Sequence, residues 1–473
     1  MTPEEFRRIG HRVVDWIADY RSGIASRPVR SRSAPGEVRR RLPPAPPERG
    51  EPLDALLRDL DETILPGITH WQHPSFHAYF PANATLASSI GDFLSTGLGV
   101  IGLNWQASPA LTELELLMGD WMRQMTGLSA QWSGAIHDTA STATLVALLC
   151  ARERATSFSM QRGGLQGQPP LAVYASAESH SSVLKAALLA GFGRERVRAI
   201  PVDGTFALDA LALRKSLAAD AAQGLVPCAI VATTGTTSST ALDPVEAMAE
   251  LAAEYGCWLH VDAAMAGSAM ILPECRWMWT GVERADSIVL NPHKWLGAVF
   301  DSSLYYVRDV QHLVRVMSTN PSYLRTSADE QAVNLRDWNI PLGRRFRALK
   351  LWALIRSEGV AGLQARLRRD LANAAWLAAQ VDAADGWERI APVPLQTVCV
   401  RHRPGGLDGE ALDRHTLAWI ERLNASGDAF LTATVLGGRW TVRVSIGAET
   451  TERAHVAALW ERMQAVAKEV EKP

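Results

Sequence analysis

From Gly134 to Asp262 the chain switches repeatedly between helix-like and strand-like apolar patterns, and this alternation constrains the fold more than any other feature. Ser141–Leu149 reads as a strongly apolar helix, Leu171–Ala175 as a strand, Ser181–Ala190 as a helix and Val197–Val202 as a strand. Leu208–Ala222 then reads as a helix, Ala229–Thr233 as a strand, Pro244–Tyr255 as a helix, and Trp258–Val261 and Ser287–Leu290 as strands. A helix between successive strands carries the chain back to the same end of the sheet. The pattern therefore predicts a largely parallel α/β sheet with helices on both faces. The flanks differ. Residues 4–22 carry a helical stripe of Phe6, Ile9, Val13, Val14 and Ile17, and residues 53–65 and 110–126 also read as helices. Beyond about residue 350, two long helical stretches precede strand-like Thr397–Arg401, Phe430–Val435 and Trp440–Ser445 and a last helix, the pattern of a smaller α+β domain.

Composition narrows the class. At 473 residues, 47% hydrophobic and 21% charged, the chain suits a globular enzyme with a large core. A formal net charge of -2 argues against nucleic acid or a membrane surface as partner. No apolar run is long enough to span a bilayer, and the start, Met1-Thr2-Pro3-Glu4-Glu5-Phe6-Arg7-Arg8, lacks the pattern of a signal peptide. Residues 27–50 are rich in Pro and Arg, but no aromatics interleave the Arg39-Arg40-Arg41 run, so they read as a solvated connecting arm. Cys150, Cys228, Cys257, Cys275 and Cys399 are scattered without metal-ligand spacing and read as reduced cysteines of a cytoplasmic protein.

Sites in open α/β sheets lie beyond the carboxyl ends of the strands, so polar residues at those ends are the candidates. Asn291-Pro292-His293-Lys294-Trp295 follows the strand Ser287–Leu290. A lysine set among apolar neighbours loses its proton more easily and can form a Schiff base with an aldehyde. Asp262 closes the strand from Trp258 in His260-Val261-Asp262-Ala263-Ala264. A buried carboxylate there needs a cation or several donors; a helix cap, an arginine, or the protonated ring nitrogen of a cofactor would each serve. Thr139-Ala140-Ser141 opens an apolar helix whose first N–H groups and dipole favour a phosphate, although Ser and Thr are also ordinary caps. His180 stands between a strand and a helix, as a core histidine or as an imidazole stacked on a planar ring. Gly235-Thr236-Thr237 follows another strand, as a polar turn or as a place of close approach to a ligand. A second constellation, His180, His260, Asp262 and His293 as ligands of a hydrolytic metal, leaves Lys294 unused and shows no His-x-x-x-His spacing, so no metal is expected.

In this order, His180-Ser181-Ser182, Gly235-Thr236-Thr237, His260-Val261-Asp262-Ala263-Ala264 and Asn291-Pro292-His293-Lys294-Trp295 resemble the motifs of group II pyridoxal-phosphate amino-acid decarboxylases, most closely the aromatic-L-amino-acid branch. His70-Trp71, Ala78-Tyr79-Phe80-Pro81, Ala107-Ser108-Pro109-Ala110 and Asn339–Arg347 extend the likeness over essentially the whole chain. The resemblance implies the fold-type I architecture: a mostly parallel seven-stranded central sheet in residues 86–350, an N-terminal helical dimerisation segment in 1–85 and a small α+β domain in 351–473. It also implies an obligate homodimer, an expectation strengthened by a first helix whose apolar face has no obvious partner within so short a segment.

The resemblance also assigns roles. Lys294 would hold pyridoxal phosphate, Asp262 would keep its ring nitrogen protonated, and His180 would stack on the ring. Thr237 would support that histidine, and Ala140, Ser141, Asn291 and His293 would hold the phosphate. Tyr323, in a polar stretch of residues 318–334 that reads as a lid, would return the proton to the substrate carbon. In this family tyrosine there goes with simple decarboxylation, and phenylalanine with oxidative production of an aldehyde. Trp71, Tyr79, Phe80, Pro81, Ala82, Ile101, Leu103 and Gly343 match positions that line the side-chain pocket, some supplied by the partner subunit. Leu103 stands where relatives often carry an aromatic and Ala82 where a hydroxyl can sit, which widens the pocket. Gly343 suits an indole. The expected activity is decarboxylation of an aromatic L-amino acid, with tryptophan or 5-hydroxytryptophan ahead of tyrosine, DOPA and phenylalanine. The alternative is decarboxylation-dependent oxidative deamination to an aromatic acetaldehyde. His137-Asp138 departs from the small residues usual before the phosphate helix, and an acid there must point away or be paired.

Overall fold

The computed structural model describes residues 1–319, 324, 328 and 331–471. Its helices, in chain order, are α1 Pro3–Ser22, α2 Glu37–Arg41, α3 Leu53–Asp59, α4 Leu86–Leu98, α5 Pro109–Thr126, α6 Ala140–Ala155, α7 Ser182–Leu189, α8 Ala210–Ala222, α9 Val245–Tyr255, α10 Val310–Met317, α11 Ala348–Ala383, α12 Gly409–Ser426 and α13 Arg453–Glu471. The strands are β1 Ser133–His137, β2 Leu171–Ser176, β3 Val197–Ile200, β4 Val226–Thr233, β5 Trp258–Asp262, β6 Ser287–Leu290, β7 Ser303–Val307, β8 Trp387–Arg389, β9 Thr397–His402, β10 Thr432–Leu436 and β11 Arg439–Ser445.

The chain divides into two compact units. The larger holds residues 82–374 and 391–398. Its seven-stranded sheet has the order β1-β7-β6-β5-β4-β2-β3, with β2 parallel to β3 and β4, β4 to β5, and β5 to β6. Only β7 runs against its neighbours β1 and β6. The predicted parallel α/β sheet is therefore present. Apart from the edge strand β3, the parallel strands are buried on both faces because helices cover both, which is why their sequences read as largely apolar runs. Helix α6 is apolar on nearly every side. Its Ala143, Val146, Ala147 and Cys150 share one core with Val173, Val231, Trp258, Val289, Tyr305 and Val307 of the strands. Each large aliphatic side chain so buried contributes roughly 1.5–3 kcal/mol.

The smaller unit holds residues 1–81, 375–390 and 399–473, and its four-stranded sheet has the order β10-β11-β9-β8. Helix α1 opens with a reciprocal cap: Glu5 N–H donates to Thr2 Oγ1 (3.2 Å) and Thr2 N–H to Glu5 Oε2 (2.7 Å). None of its residues is buried. The arm expected to be solvated is only partly so. Val29 is fully buried with Phe76 and Ala78; its N–H donates to Gly427 O (2.9 Å) and its carbonyl accepts from His70 N–H (2.8 Å). One β-branched residue among prolines and arginines was enough to seed a core contact. Helix α11 contains Gly359 at φ 65°, which explains why the sequence reads as two helical stretches there.

Candidate active site

Lys294 lies in a single wide turn, Pro292–Leu296, directly after β6. Its backbone leaves helical values (φ -93°, ψ -108°), and its N–H donates to Asn291 O (3.0 Å) while its carbonyl accepts from Asn83 N–H (3.3 Å). The turn closes on Gly297, whose φ of 102° suits a residue without a side chain. Helix α11 clamps the turn. Arg366 donates through Nη1 to Trp295 O (3.1 Å) and through Nη2 to Leu296 O (2.5 Å). Trp295 Nε1 donates to Asp370 Oδ2 (2.9 Å), a carboxyl that burial pushes up to about 6. Half-buried Lys294 is thus carried by a turn whose flanks, His293 and Trp295, are both buried.

Asp262 ends β5 with 4% of its surface exposed and accepts from Ala264 N–H through Oδ1 (3.0 Å). Its carbonyl receives Thr234 N–H (2.9 Å), joining it to the loop after β4 that holds half-buried Thr237. His180 follows β2, and its Nδ1 accepts from Ser182 N–H (3.1 Å) and lies 2.8 Å from Ser182 Oγ. Solvent reaches His180, yet protein crowds the ring enough to lower its pKa; Asp262's charge then pulls it up and Lys294's pulls it down. The His180 ring thus senses the charges of both Asp262 and Lys294, which come from two other strand ends.

Next to them lies a set of hydrogen-bond donors. His293 is buried, and Ser302 N–H donates to its Nδ1 (3.0 Å). Burial first, and Lys294's charge second, push its pKa down to about 3, so the ring is neutral and carries its proton on Nε2. Ser303 Oγ donates to Asn291 Oδ1 (2.7 Å), which leaves the Asn291 amide N–H groups as donors. The same Ser303 hydroxyl lies 3.5 Å from Asp138 O, bringing Asn291 to the start of α6. There Thr139 caps the helix, Thr142 N–H donating to its Oγ1 (3.4 Å), with Ala140 and exposed Ser141 in the first turn. Asp138 is paired: its Oδ1 accepts from Thr139 N–H (2.8 Å).

These groups fit pyridoxal phosphate. Asn291, His293 and the α6 start offer donors to a phosphate, Asp262 a buried counter-charge to a protonated ring nitrogen, and Lys294 an amine to an aldehyde. The buried hydroxyls of Thr234 and Ser302 find no partner among the described residues. His260, by contrast, has Nδ1 2.9 Å from Ser287 Oγ and Nε2 3.5 Å from Thr144 Oγ1. Among the described residues no group of three or more His, Cys, Asp or Glu is arranged to hold a metal ion.

Asp243, Ser302, Ser303, Arg366 and Asp370 were not singled out from sequence. Asp243 is buried and accepts from Leu208 N–H and Thr233 N–H (2.8 Å each); burial pushes its carboxyl up to about 7, and the charge of Asp262 adds to the rise. An acid just before a proline was the available signal.

The pocket candidates fall in both units. In the smaller, Trp71 stacks on Tyr79 (5.5 Å between centroids, 12° between planes), and Tyr79 meets Phe430 edge-on. Phe80 lies under Arg443 (5.0 Å), and Pro81 is buried. In the larger, Ala82 and Leu103 are partly buried and Ile101 is exposed. A Cβ built on Gly343 would stand 3.6 Å from Ile101 Cγ2 and 4.0 Å from Leu103 Cδ2, so these three form one wall. Tyr323 and most of its loop lie outside the described residues. Its neighbour Leu324 is buried, its carbonyl accepting from Arg336 Nη1 (3.2 Å) and Asn104 Nδ2 (3.5 Å).

Residues 35–403 match the family described as the pyridoxal-dependent decarboxylase conserved domain. The chain is 41% identical over 470 residues to tryptophan decarboxylase TDC1 of Camptotheca acuminata, covering 97% of this chain and 93% of the relative. It is 40% identical over 481 residues to a phenylacetaldehyde synthase of a Rosa hybrid cultivar, covering 98% and 94%. Its structure superposes on an Oryza sativa TDC solved with PLP and tryptamine with a TM-score of 0.97 at 39% identity, over 99% of each chain.

Proposed function

Since the chain belongs to the pyridoxal-dependent decarboxylase family, we propose that it removes the α-carboxylate of an aromatic L-amino acid, tryptophan or 5-hydroxytryptophan first, releasing the arylalkylamine and carbon dioxide. The observation that carries this reading is that His180 lies within electrostatic reach of both Asp262 and Lys294, beside a cluster of phosphate donors. Lys294 would hold the cofactor through its amine, Asp262 would keep a proton at its ring nitrogen, and His180, supported by Thr237, would stack on the ring. Ala140, Ser141, Asn291 and His293 would hold the phosphate. When bound, pyridoxal phosphate supplies a ring that accepts the electron pair left as carbon dioxide departs. Tyr323 would supply the proton that the substrate Cα needs, the role the resemblance gives it.

The substrate class follows from the apolar wall. Ile101, Leu103 and Gly343 carry no charge to meet an acidic side chain, and the missing side chain at Gly343 leaves room for an indole. Trp71, Tyr79, Phe80, Pro81 and Ala82 keep the pocket role that the resemblance gives them. The curated and solved relatives named above, a tryptophan decarboxylase and a TDC holding tryptamine, support the same choice.

The working unit is a homodimer. No residue of α1 is buried, and Leu86, Ile90, Phe93, Leu94 and Leu98 of α4 are exposed, apolar surface that a second copy would cover. The functional division of 1–85 for dimerisation, 86–350 for the cofactor and 351–473 as the small domain goes with it, though the compact units place 351–374 and 391–398 in the larger and 1–81 in the smaller. The five cysteines, all buried and free, support a cytoplasmic location; among the described residues no helix is long and apolar enough to cross a membrane.

A panel of aromatic amino acids with mass analysis of the products tests the reading. Tryptamine or 5-hydroxytryptamine with one carbon dioxide per turnover is expected. Indole acetaldehyde with ammonia and peroxide would favour the oxidative alternative, and no turnover of any aromatic amino acid would reject both.

A further inference from the structure

His137 is the residue that neither the resemblance nor the proposed chemistry uses. It ends β1 with no exposed surface. Its Nε2 lies 3.0 Å from Trp338 O, and a carbonyl only accepts, so Nε2 carries the hydrogen. The ring sits 5.1 Å from that of Tyr305. Burial, and then the charges of Arg344 and Arg347, push its pKa down to about 3, which keeps it neutral across the physiological range. We propose that His137 is a positioning residue that ties the strand feeding the phosphate-binding helix to the segment whose Gly343 shapes the substrate pocket, and so sets which aromatic side chains fit. The inference rests on the decarboxylase reading given above.

Two sets of contacts meet at this residue. On the cofactor side, His137 pairs in the sheet with Ser303, whose hydroxyl holds Asn291, and Thr139 two residues on caps α6. On the pocket side, the Trp338 carbonyl that His137 holds leads through Asn339 to Gly343. A parallel tie reinforces it: Arg344 Nη2 donates to Ile136 O (3.0 Å) and pairs with buried Glu115, whose Oε1 accepts from Ile136 N–H (2.7 Å). Beyond these ties, a backbone bridge between Arg344 and Gly102 sets Gly343 beside Ile101 and Leu103. A serine at position 137 would remove the donor to Trp338 O and leave a void. The wall would then lose one of the ties that fix it relative to the phosphate set.

The test uses the holoenzyme with His137→Ser, His137→Asn and His137→Gln. A glutamine amide reaches the place of Nε2 and can donate to Trp338 O; asparagine is too short. Three quantities are read: the ratio of kcat/KM for tryptophan over tyrosine, the Kd of the apoenzyme for pyridoxal phosphate, and the thermal midpoint. His137→Gln is expected to keep both the ratio and the Kd, whereas His137→Asn shifts the ratio about fivefold, through KM, and weakens cofactor binding about tenfold. If His137→Ser does not fold, the Asn and Gln pair still decides. Equal ratios and equal Kd values in those two variants would overturn the proposal, even if both melt earlier than the parent. Should the parent decarboxylate no aromatic amino acid, the function reading fails by itself, and the cofactor Kd of the two variants still judges His137.

Discussion

Trp295 donates its indole N–H to Asp370 across 2.9 Å, and Asp370 is wholly buried. Trp295 adjoins Lys294, so a residue on α11 fixes the turn that presents the Lys294 amine. Asp370→Ala would leave a buried indole N–H without an acceptor, at a cost of about 1–3 kcal/mol. Carried into the site, that cost weakens cofactor binding about tenfold. Asp370→Asn keeps an acceptor and should restore most of the affinity. Titration of the three apoenzymes with pyridoxal phosphate checks this; equal affinities would show that the turn holds its shape without the tryptophan anchor.

Gly343 makes substrate choice testable by addition. A serine there would reach toward Ile101 and Leu103, narrow the wall and add a hydroxyl. Gly343→Ser should lower kcat/KM for tryptophan relative to tyrosine about tenfold, the usual worth of one atom group in a closed pocket. Competition between the two substrates, followed by mass analysis of the amines, reads the ratio directly.

Tyr323→Phe removes the proposed proton donor while keeping the ring. Amine formation should fall roughly 10²-fold, the lower range for general acid catalysis, while aldehyde and hydrogen peroxide rise. Peroxide released per carbon dioxide is the measurement. An unchanged amine yield would end the acid role.

Five buried histidines predict instability in mild acid. Burial lowers His77, His260 and His402 to about 4 and His137 and His293 to about 3. A depressed folded pKa means that the unfolded chain takes up the proton first. The stability is therefore present above about 6.5, the ordinary histidine value, and is lost as pH falls. Each should contribute a loss of roughly 2 kcal/mol between pH 7 and 5. Asp243 and Asp370, raised to about 7 and about 6, have the opposite sign: their stability is full below the ordinary carboxylate value and is lost as pH rises. They return roughly 1–2 kcal/mol each over the same interval. Five histidines outweigh two acids, so the thermal midpoint should drop steeply from pH 7 to 5. His260→Gln should flatten the drop, and a midpoint constant over that range would contradict the histidine account.

Most of the parallel strands were legible because they are buried on both faces and bounded by helices, and β2, β4 and β5 begin or end within a few residues of their expected limits. Strands β1 and β7 were not read. Ser303–Val307 is as apolar as its neighbours, but pairing direction is decided by partners far away in sequence, and no local pattern records it. The same holds within the site. Lys294, Asp262 and His180 announce themselves as polar residues at strand ends. Asp370 and Arg366 lie on one long helix among many arginines, and only the fold brings them to the Lys294 turn. Asp138 illustrates a third case: its partner, the next residue's N–H, was in plain view, but the turn that makes the bond was not.

Because β7 runs backward, it is the entry end of that strand, with Ser302 and Ser303, that joins the exit ends of the others. Every group assigned to the chemistry in the larger sheet therefore emerges at a single rim. The opposite rim, where β2 and β4 begin, carries exposed Pro170 and Gln223. A cysteine introduced at Gln223 would let the enzyme be bonded to a bead by its blank side. Its mouth would then face the medium, an orientation that a flow reactor needs and that random attachment through surface lysines does not provide.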